Sequence, residues 1–223
     1  IRYRIQSATG LKLEDLILVI DEAHNLPDII ADMQCIKLYK HQVKLAQREA
    51  RKYLSGELAE NVLESLSNFY SYVSLLEKKS GGRDYPLDTS EVLSAMPGLS
   101  QLRRAALIVE NKMLESGILA PSNISKILEF AKALHSTAHG FIVYSATTPE
   151  GFILKYHCID PSVSSRRIFS RVKAAILMSG TLQPREYLIS MLGLKENRVV
   201  EQRVHADFSR QVKLLVHTGI SSR

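Results

Sequence analysis

Cysteine is scarce in this chain: Cys35 and Cys158 are its only two among 223 residues. Neither stands in a C-x-x-C pair or in a metal-binding spacing with histidine. Isolated cysteines of this kind are usually buried thiols, and a low cysteine count fits a protein of the reducing cell interior. His135 and His139 are four residues apart on a predicted helix, but no third ligand accompanies them. The sequence therefore predicts no metal site held by cysteine or histidine.

Long apolar runs are also missing. No stretch approaches the roughly 20 apolar residues of a bilayer-spanning helix, so no such helix is predicted. The first residues, Ile1-Arg2-Tyr3-Arg4, contain neither an initiator methionine nor a signal sequence, and we expect them to be a cut into a longer polypeptide. Hydrophobic residues make up 45% and charged residues 23%, as in an ordinary globular protein.

The charge balance is basic, with a formal net charge of +6 and an isoelectric point near 9.3. Such a balance favours polyanionic partners, although many basic proteins bind nothing acidic. The positive charge therefore supports a nucleic-acid partner only if another feature of the sequence points to one.

Residues 16–20, Leu-Ile-Leu-Val-Ile, form a short apolar run that ends in Asp21, Glu22 and His24. The run predicts a strand buried on both faces of a sheet. Open α/β sheets place their chemistry beyond the carboxyl ends of the strands, so these polar residues indicate an active-site edge. In nucleotide hydrolases an Asp here holds Mg²⁺, and the next carboxylate takes a proton from the attacking water. Asp-Glu-x-His alone also suits a turn or a helix start.

A second apolar run, residues 173–178, ends in Ser179, Gly180 and Thr181. It predicts another buried strand that leads into a small, hydroxyl-rich turn. A tight turn is the simplest explanation of these three residues, and that explanation is compatible with a role beside the first motif.

Between the two motifs the pattern is helical, with little strand character. From about residue 37 to residue 140 it predicts helices over 39–54, along an apolar stripe from Leu58 to Leu76, over 99–115 and over 122–139, with a short helix that Asp88 caps. Residues 141–144 and 151–156 predict a β-hairpin. A helix from Pro184 to Gly193 and a strand over 212–216 follow.

Basic residues recur every three or four positions on the first of these helices: Lys37, Lys40, Lys44, Arg48 and Arg51. This spacing places them on one side of a helix. A basic stripe of this kind suits contacts with nucleic-acid phosphates, which give affinity without reading sequence. A solvated helix face explains the same spacing equally well.

With DEAHN at residues 21–25 and MSGTL at residues 178–182, the chain resembles the XPD-type DNA helicases, the iron–sulfur branch of superfamily two. DEAHN is similar to their motif II (Walker B), and residues 179–181 are similar to their motif III. The motifs stand in the family's order, separated by a long insertion where the family has its helical arch. The resemblance is close at both ends of the chain and poor in the middle.

The resemblance implies an α/β fold, with part of a RecA-like (P-loop NTPase) motor domain and an inserted all-α arch domain. Residues 1–36 would belong to the first motor domain with motif II, and residues 37–140 would form the arch. Residues 141–200 would continue the motor domain with motif III, and residues 201–223 would link to and begin the second motor domain. The short, simple arch suggests an archaeal-type protein.

Roles for individual residues follow from the same resemblance. Asp21 would bind Mg²⁺ through water, and Glu22 would polarise the hydrolytic water. His24 would couple the nucleotide state to the DNA-binding cleft, and the turn at residues 179–181 would relay that signal.

The implied cofactors are ATP, Mg²⁺ and a 4Fe-4S cluster. The chain contains neither a G-x-G-K-T-like Walker A loop nor four cluster cysteines. We therefore expect these parts, and the second motor domain with its arginine finger, to lie outside this chain. A fragment of this kind is not expected to hydrolyse ATP alone.

The implied function is that of an ATP-dependent DNA helicase, moving 5′ to 3′ on single-stranded or forked DNA in nucleotide excision repair. The expected partners are single-stranded DNA and repair-complex proteins that dock on the arch, with no membrane. The expected location is the cytoplasm for an archaeal protein and the nucleus for a eukaryotic one. Two alternatives stay open: a single-strand-binding or damage-sensing scaffold with an incidental motor, and a protein-interaction module.

Overall fold

The computed structural model describes residues 10–136, 139–182 and 184–204. Over these residues the chain forms the helices α1 (Leu26–Gln34), α2 (Lys40–Tyr53), α3 (Gly56–Ser80), α4 (Thr89–Ala95), α5 (Leu99–Glu115), α6 (Asn123–His135), α7 (Ser162–Phe169) and α8 (Arg185–Leu192). Its strands are β1 (Ile17–Ile20), β2 (Ile36–Tyr39), β3 (Tyr85–Pro86), β4 (Phe141–Thr148), β5 (Gly151–Cys158) and β6 (Ala174–Leu177). Within the described ranges, no helix has the length and apolar character to cross a bilayer.

The strands make two separate sheets. β1 and β6 pair in parallel, with Ile17 opposite Ala174 and Ile20 opposite Leu177. The other four strands form an antiparallel sheet in the order β2-β5-β4-β3. The predicted α/β class is confirmed, and both apolar runs beside the motifs are strands.

The burial of these two motif strands differs from the prediction. Ile17 and Val19 are 58% and 61% exposed, and Ile176 of β6 is 52% exposed. Within the described part of the chain β1 pairs only with β6. One face of this two-stranded sheet therefore meets solvent, and the prediction of strands buried on both faces is wrong here.

The helices between the motifs agree with the apolar periodicity. Along α3, five side chains that recur every three or four residues are buried: Val62, Leu66, Phe69, Val73 and Leu76. α3 ends at Gly81, whose φ of 56° is a left-handed value that favours glycine at a helix end. The predictions for α2, α5 and α6 are also confirmed, with α6 shorter than predicted.

β3 and all but the first residue of β2 lie within residues 37–140, where little strand character was predicted. β2 pairs with β5, with Ile36 opposite Tyr156, and the short β3 pairs with β4. These two short strands were not predicted because each is stabilised by its partner strand, and that partner lies far away in sequence.

The predicted hairpin is confirmed, with strands longer than expected. β4 and β5 pair over their full lengths around Pro149-Glu150. Val143 and Leu154 of the hairpin belong to the same hydrophobic core as Phe69 and Phe130 of the helices. The predicted boundary at residue 140 thus falls within one continuous core, and the division of the chain into domains stays a prediction.

Two carboxylates accept backbone N–H groups at the starts of helices and so stabilise them. Asp88 Oδ1 accepts the N–H groups of Ser90 (2.8 Å) and Glu91 (3.1 Å), which confirms the predicted cap of α4. The Ser90 hydroxyl together with these N–H groups lowers the pKa of Asp88 below its ordinary value. Glu49 of α2 caps α6 from a distant part of the sequence, since Oε2 accepts the N–H groups of Asn123 (2.8 Å) and Ile124 (3.1 Å). A negative charge at this position also complements the helix dipole.

The helix that was predicted after β6 is confirmed. α8 begins directly after Pro184 and ends at Gly193, where φ is 61°. The strand predicted over residues 212–216 lies outside the described residues.

Candidate functional site

The ends of β1 and β6 bring the two motifs together. The Met178 N–H donates to the Ile20 carbonyl at 3.0 Å, and the Ala23 N–H donates to the Met178 carbonyl at 3.0 Å. These bonds continue the parallel pairing beyond the ends of both strands. Ala23, which takes part in them, is fully buried. The polar residues of both motifs consequently share the carboxyl edge of the sheet, where α/β proteins place their chemistry.

A three-residue hydrogen-bond network joins the motifs at this edge. Ser179 Oγ donates to Glu22 Oε2 at 3.0 Å. His24 Nδ1 lies 2.8 Å from Ser179 Oγ and 3.2 Å from Glu22 Oε2. The Ser179 hydroxyl has a single hydrogen, which goes to Glu22, so the donor count assigns a hydrogen to His24 Nδ1. Glu22 is thereby oriented by one residue of each motif.

The backbone of Glu22 adopts a strained conformation. Its φ of 50° and ψ of 40° are left-handed, and it is the one non-glycine residue with positive φ among those the structure describes. Such a conformation costs on the order of 1–3 kcal/mol and persists where surrounding contacts hold it. Asp21 Oδ1 accepts the Glu22 N–H at 2.8 Å, and Ser179 holds the side chain. In this conformation the Glu22 carboxylate contacts Ser179 of the second motif.

Asp21 is exposed at the tip of β1. Across the described ranges, no group of three or more His, Cys, Asp or Glu side chains could hold a metal ion. Mg²⁺ is commonly held by one or two carboxylates together with water and substrate phosphates, rather than by a complete protein cage. The Asp21 side chain suits the role of one such carboxylate, and the described residues around it do not supply the other ligands.

The other residues of the second motif contribute differently. Thr181 donates its backbone N–H to Ser179 Oγ at 3.2 Å, while its side chain is exposed. A Cβ placed on Gly180 would meet nothing within 4 Å. Local packing therefore does not require glycine at position 180, and Ser179 is the residue of this turn whose side chain contacts Glu22 and His24.

The predicted basic stripe is divided between two elements. Lys37 lies on β2, so its placement on the first helix is wrong; Lys40, Lys44, Arg48 and Arg51 do lie on α2. These four project away from the buried face of α2. Lys40 is an ion-pair partner of Glu77, at 2.5 Å, which offsets part of its charge.

Tyr70 of α3 lies beside this basic surface and was not predicted as part of it. Lys40 Nζ and Lys44 Nζ lie 5.2 and 5.0 Å from its ring centroid. A hydrogen bond with Lys44, with the nearby positive charge of Lys40, lowers the pKa of Tyr70 below its ordinary value. An aromatic ring among cations suits the stacking of a nucleic-acid base. Only the packing of α2 on α3 reveals this neighbourhood.

A 4Fe-4S cluster does not fit this chain. Such clusters take four thiolate ligands, and the sequence contains two cysteines. Cys158 is buried, and Cys35 hydrogen-bonds to a histidine.

One family model matches the segment around the first motif. The DEAD_2 family model matches residues 1–43, the segment that contains Asp21, Glu22 and His24.

Curated relatives match a longer part of the chain. The ATP-dependent DNA helicase CHL1 of Yarrowia lipolytica is 24% identical over 222 aligned residues, covering 84% of this chain and 27% of the relative. The ATP-dependent DNA helicase XPD of Sulfolobus acidocaldarius is 24% identical over 230 aligned residues, covering 99% of this chain and 38% of the relative. The chain thus spans about a quarter to two fifths of the length of these relatives.

Solved structures share the fold. A chain named "XPD_Helicase" superposes with a TM-score of 0.61 at 22% identity, covering 86% of this chain and 32% of that one. A "Truncated XPD" gives a TM-score of 0.56 at 23% identity, with coverage of 86% and 51%. These relatives are DNA helicases of the CHL1 and XPD types, and the solved structures show that the chain shares the fold of XPD helicases.

Proposed function

We propose that this chain is part of an ATP-dependent DNA helicase of XPD type, which moves 5′ to 3′ on single-stranded or forked DNA in nucleotide excision repair. The observation that supports it most is the network of Glu22, His24 and Ser179, which links the two helicase motifs through side chains. The direction of movement and the repair pathway follow from the family resemblance. The cellular location, cytoplasm or nucleus, depends on the source of the protein.

The geometry suggests a role for each residue of the network. Bound Mg²⁺ would neutralise phosphate charge, and Asp21 would hold it through water. Glu22 would accept a proton from the attacking water, while Ser179 and His24 keep its carboxylate in place. Because Ser179 follows β6 and His24 follows β1, a shift of one strand end would move the Glu22 carboxylate. This linkage would couple hydrolysis to movement of the motor.

We propose that the basic face of α2 with Tyr70 contacts single-stranded DNA. Lys44, Arg48 and Arg51 are exposed on the same side of the helix, and Lys44 lies over the Tyr70 ring. The cations would bind phosphates and the ring would stack with a base. Repair-complex proteins would bind the surfaces of residues 37–140 that lie away from this basic face.

Salt dependence tests this DNA contact. Replacing Lys40, Lys44 and Arg48 together by glutamine is expected to flatten the dependence of single-strand affinity on salt, because each phosphate contact contributes about −0.7 to the slope. Lys40 should contribute least, since Glu77 already pairs with it. The measurement is a titration of fluorescent oligothymidine at several salt concentrations.

The matched control removes the same positive charge from other helices. Arg103 and Arg104 are exposed on α5, and Lys132 is exposed on α6. Replacing these three residues by glutamine changes the net charge equally, and the salt slope should stay near that of the unsubstituted protein. The same slope in both variants would favour a merely solvated α2 face.

DNA-stimulated ATP hydrolysis tests the proposed function as a whole. The intact protein should hydrolyse ATP faster when single-stranded DNA is present, because the motor couples the two ligands. The measurement is phosphate release with and without oligothymidine. DNA binding without any hydrolysis would contradict the helicase and favour the scaffold alternative.

One observation favours the protein-interaction alternative. Leu107 and Leu114 of α5, with Leu119 just beyond it, are 63%, 59% and 84% exposed. Leu107 and Leu114 are seven residues apart and therefore share one face of α5, and an exposed apolar face of this kind suits a protein contact. If interaction were the main function, DNA affinity would change little with salt, and the α2 variant above would show no effect.

A further inference from the structure

Cys35 and His157 form a thiol–imidazole pair away from the helicase motifs. Cys35 Sγ lies 3.1 Å from His157 Nδ1. Strand register explains the contact, because Ile36 lies opposite Tyr156 in the β2–β5 pair. The residues just outside this pair, Cys35 and His157, therefore also face each other across the sheet. The arrangement places a nucleophile beside a base, and neither belongs to the proposed ATP or DNA sites.

Two acceptors compete for the single hydrogen of the thiol. Cys35 Sγ donates to the Ala31 carbonyl at 3.2 Å, and His157 Nδ1 lies at a similar distance. The imidazole is within the reach that a general base needs. Its ring also meets Tyr144 edge-on, with the ring centroids 5.9 Å apart, which restricts its orientation.

A cavity of about 680 Å³ opens beside the thiol, between α1, α6, α7 and the hairpin. Cys35 lines it, together with the two cations Lys37 and Arg167 and the carboxylate Glu129. Phe141 and Tyr156 supply apolar surface. The excess of positive over negative side chains favours a small molecule that carries negative charge.

We propose that Cys35 is a modification site for small disulfides, with His157 as its base and anionic disulfides preferred. The Cys35 sulfur attacks one sulfur of R–S–S–R while its proton passes to His157 Nδ1. A Cys35–S–S–R bond forms as the original S–S bond breaks, and the departing R–S⁻ takes the proton from the imidazole to become R–SH. Cys35 is oxidised and the leaving half of the disulfide is reduced, so the exchange needs no further oxidant.

Cys158 provides an internal comparison within the same chain. It is 2% exposed, and burial raises the pKa of its thiol above the ordinary value. Its sulfur is thus protected by the fold, and it should react only when the protein unfolds. Its reactivity therefore reports on folding in every variant.

The test measures disulfide exchange at each cysteine by peptide mass mapping. The probes are glutathione disulfide, which is anionic, and bis(2-hydroxyethyl) disulfide, which is neutral. In the folded protein Cys35 should react at least about tenfold faster than Cys158, and the difference should vanish in urea. His157→Gln should slow Cys35 by about tenfold or more, with Cys158 still protected. Arg167→Gln should slow the glutathione reaction and leave the neutral one unchanged.

Three results would overturn parts of the proposal. Equal rates at Cys35 and Cys158 in the folded, unsubstituted protein would refute a reactive site, whether or not the variants fold. An unchanged Cys35 rate in His157→Gln would refute the base. Equal effects of Arg167→Gln on both probes would refute the preference for anions.

Discussion

Replacing Glu22 by glutamine is expected to abolish ATP hydrolysis by the intact protein while leaving ATP binding in place. Glutamine has the size of glutamate and can still accept the Ser179 hydroxyl hydrogen, but it cannot take a proton from water. Loss of a general base typically lowers a rate by about 10²–10⁴-fold. Steady-state phosphate release in saturating single-stranded DNA measures the first effect. Titration with a fluorescent ATP analogue measures the second.

A carboxylate elsewhere on the chain provides the matched control. Glu60 is exposed on α3, and Glu60→Gln makes the same chemical change away from the motifs. Its hydrolysis rate should equal that of the unsubstituted protein. Normal turnover in Glu22→Gln would rule out Glu22 as the base, although the fold would be unaffected by that result.

Replacing Phe69 by alanine is expected to lower the free energy of unfolding by about 3–5 kcal/mol. Phe69 is fully buried in the core shared by the helices and the hairpin, and its ring stacks on Tyr72 with the centroids 6.5 Å apart. Removing the ring loses apolar burial and leaves a cavity. Urea denaturation followed by far-ultraviolet circular dichroism gives the free energy, and an unchanged urea slope would show that the same unit unfolds.

Leu75→Ala is the control for this core substitution. Leu75 lies on the same helix but is 65% exposed. Both substitutions place alanine in α3, so helix propensity changes little between them, and burial is the main difference. The Leu75 variant should stay close to the unsubstituted protein. Similar losses in both variants would contradict the assignment of Phe69 to the central core.

Local sequence patterns were sufficient to predict most of the helices between the two motifs. The stripe from Leu58 to Leu76 predicted α3, and Asp88 predicted the cap of α4, and both predictions are confirmed. Each signal lies within a few turns of the element that it determines, since helix bonds and caps are local. The hairpin was predictable for the same reason, because its two strands are neighbours in sequence.

Features that depend on distant pairing were not predictable in this way. The motifs identified Glu22, His24 and Ser179 as separate candidates, but their contact requires β1 to pair with β6 from the far end of the chain. β2 escaped notice because its partner is β5, and Tyr70 because its neighbours lie on another helix. The exposure of Ile17 likewise depends on which strands cover the sheet, which periodicity within β1 does not report.

The pairing of β2 with β5 also bears on how such a protein can change over evolutionary time. The chain enters the helical unit at Ile36 and completes the hairpin at Cys158, and these two points lie almost side by side because Ile36 is the partner of Tyr156. An insertion whose ends meet puts no stretch on its host, and sites of this kind tolerate exchange well. A change in the length of the segment between these points is therefore expected to leave the edge that carries Glu22 and Ser179 in place. Residues 36–158 thus start and finish at neighbouring points of one sheet, which is the geometry that an inserted segment needs.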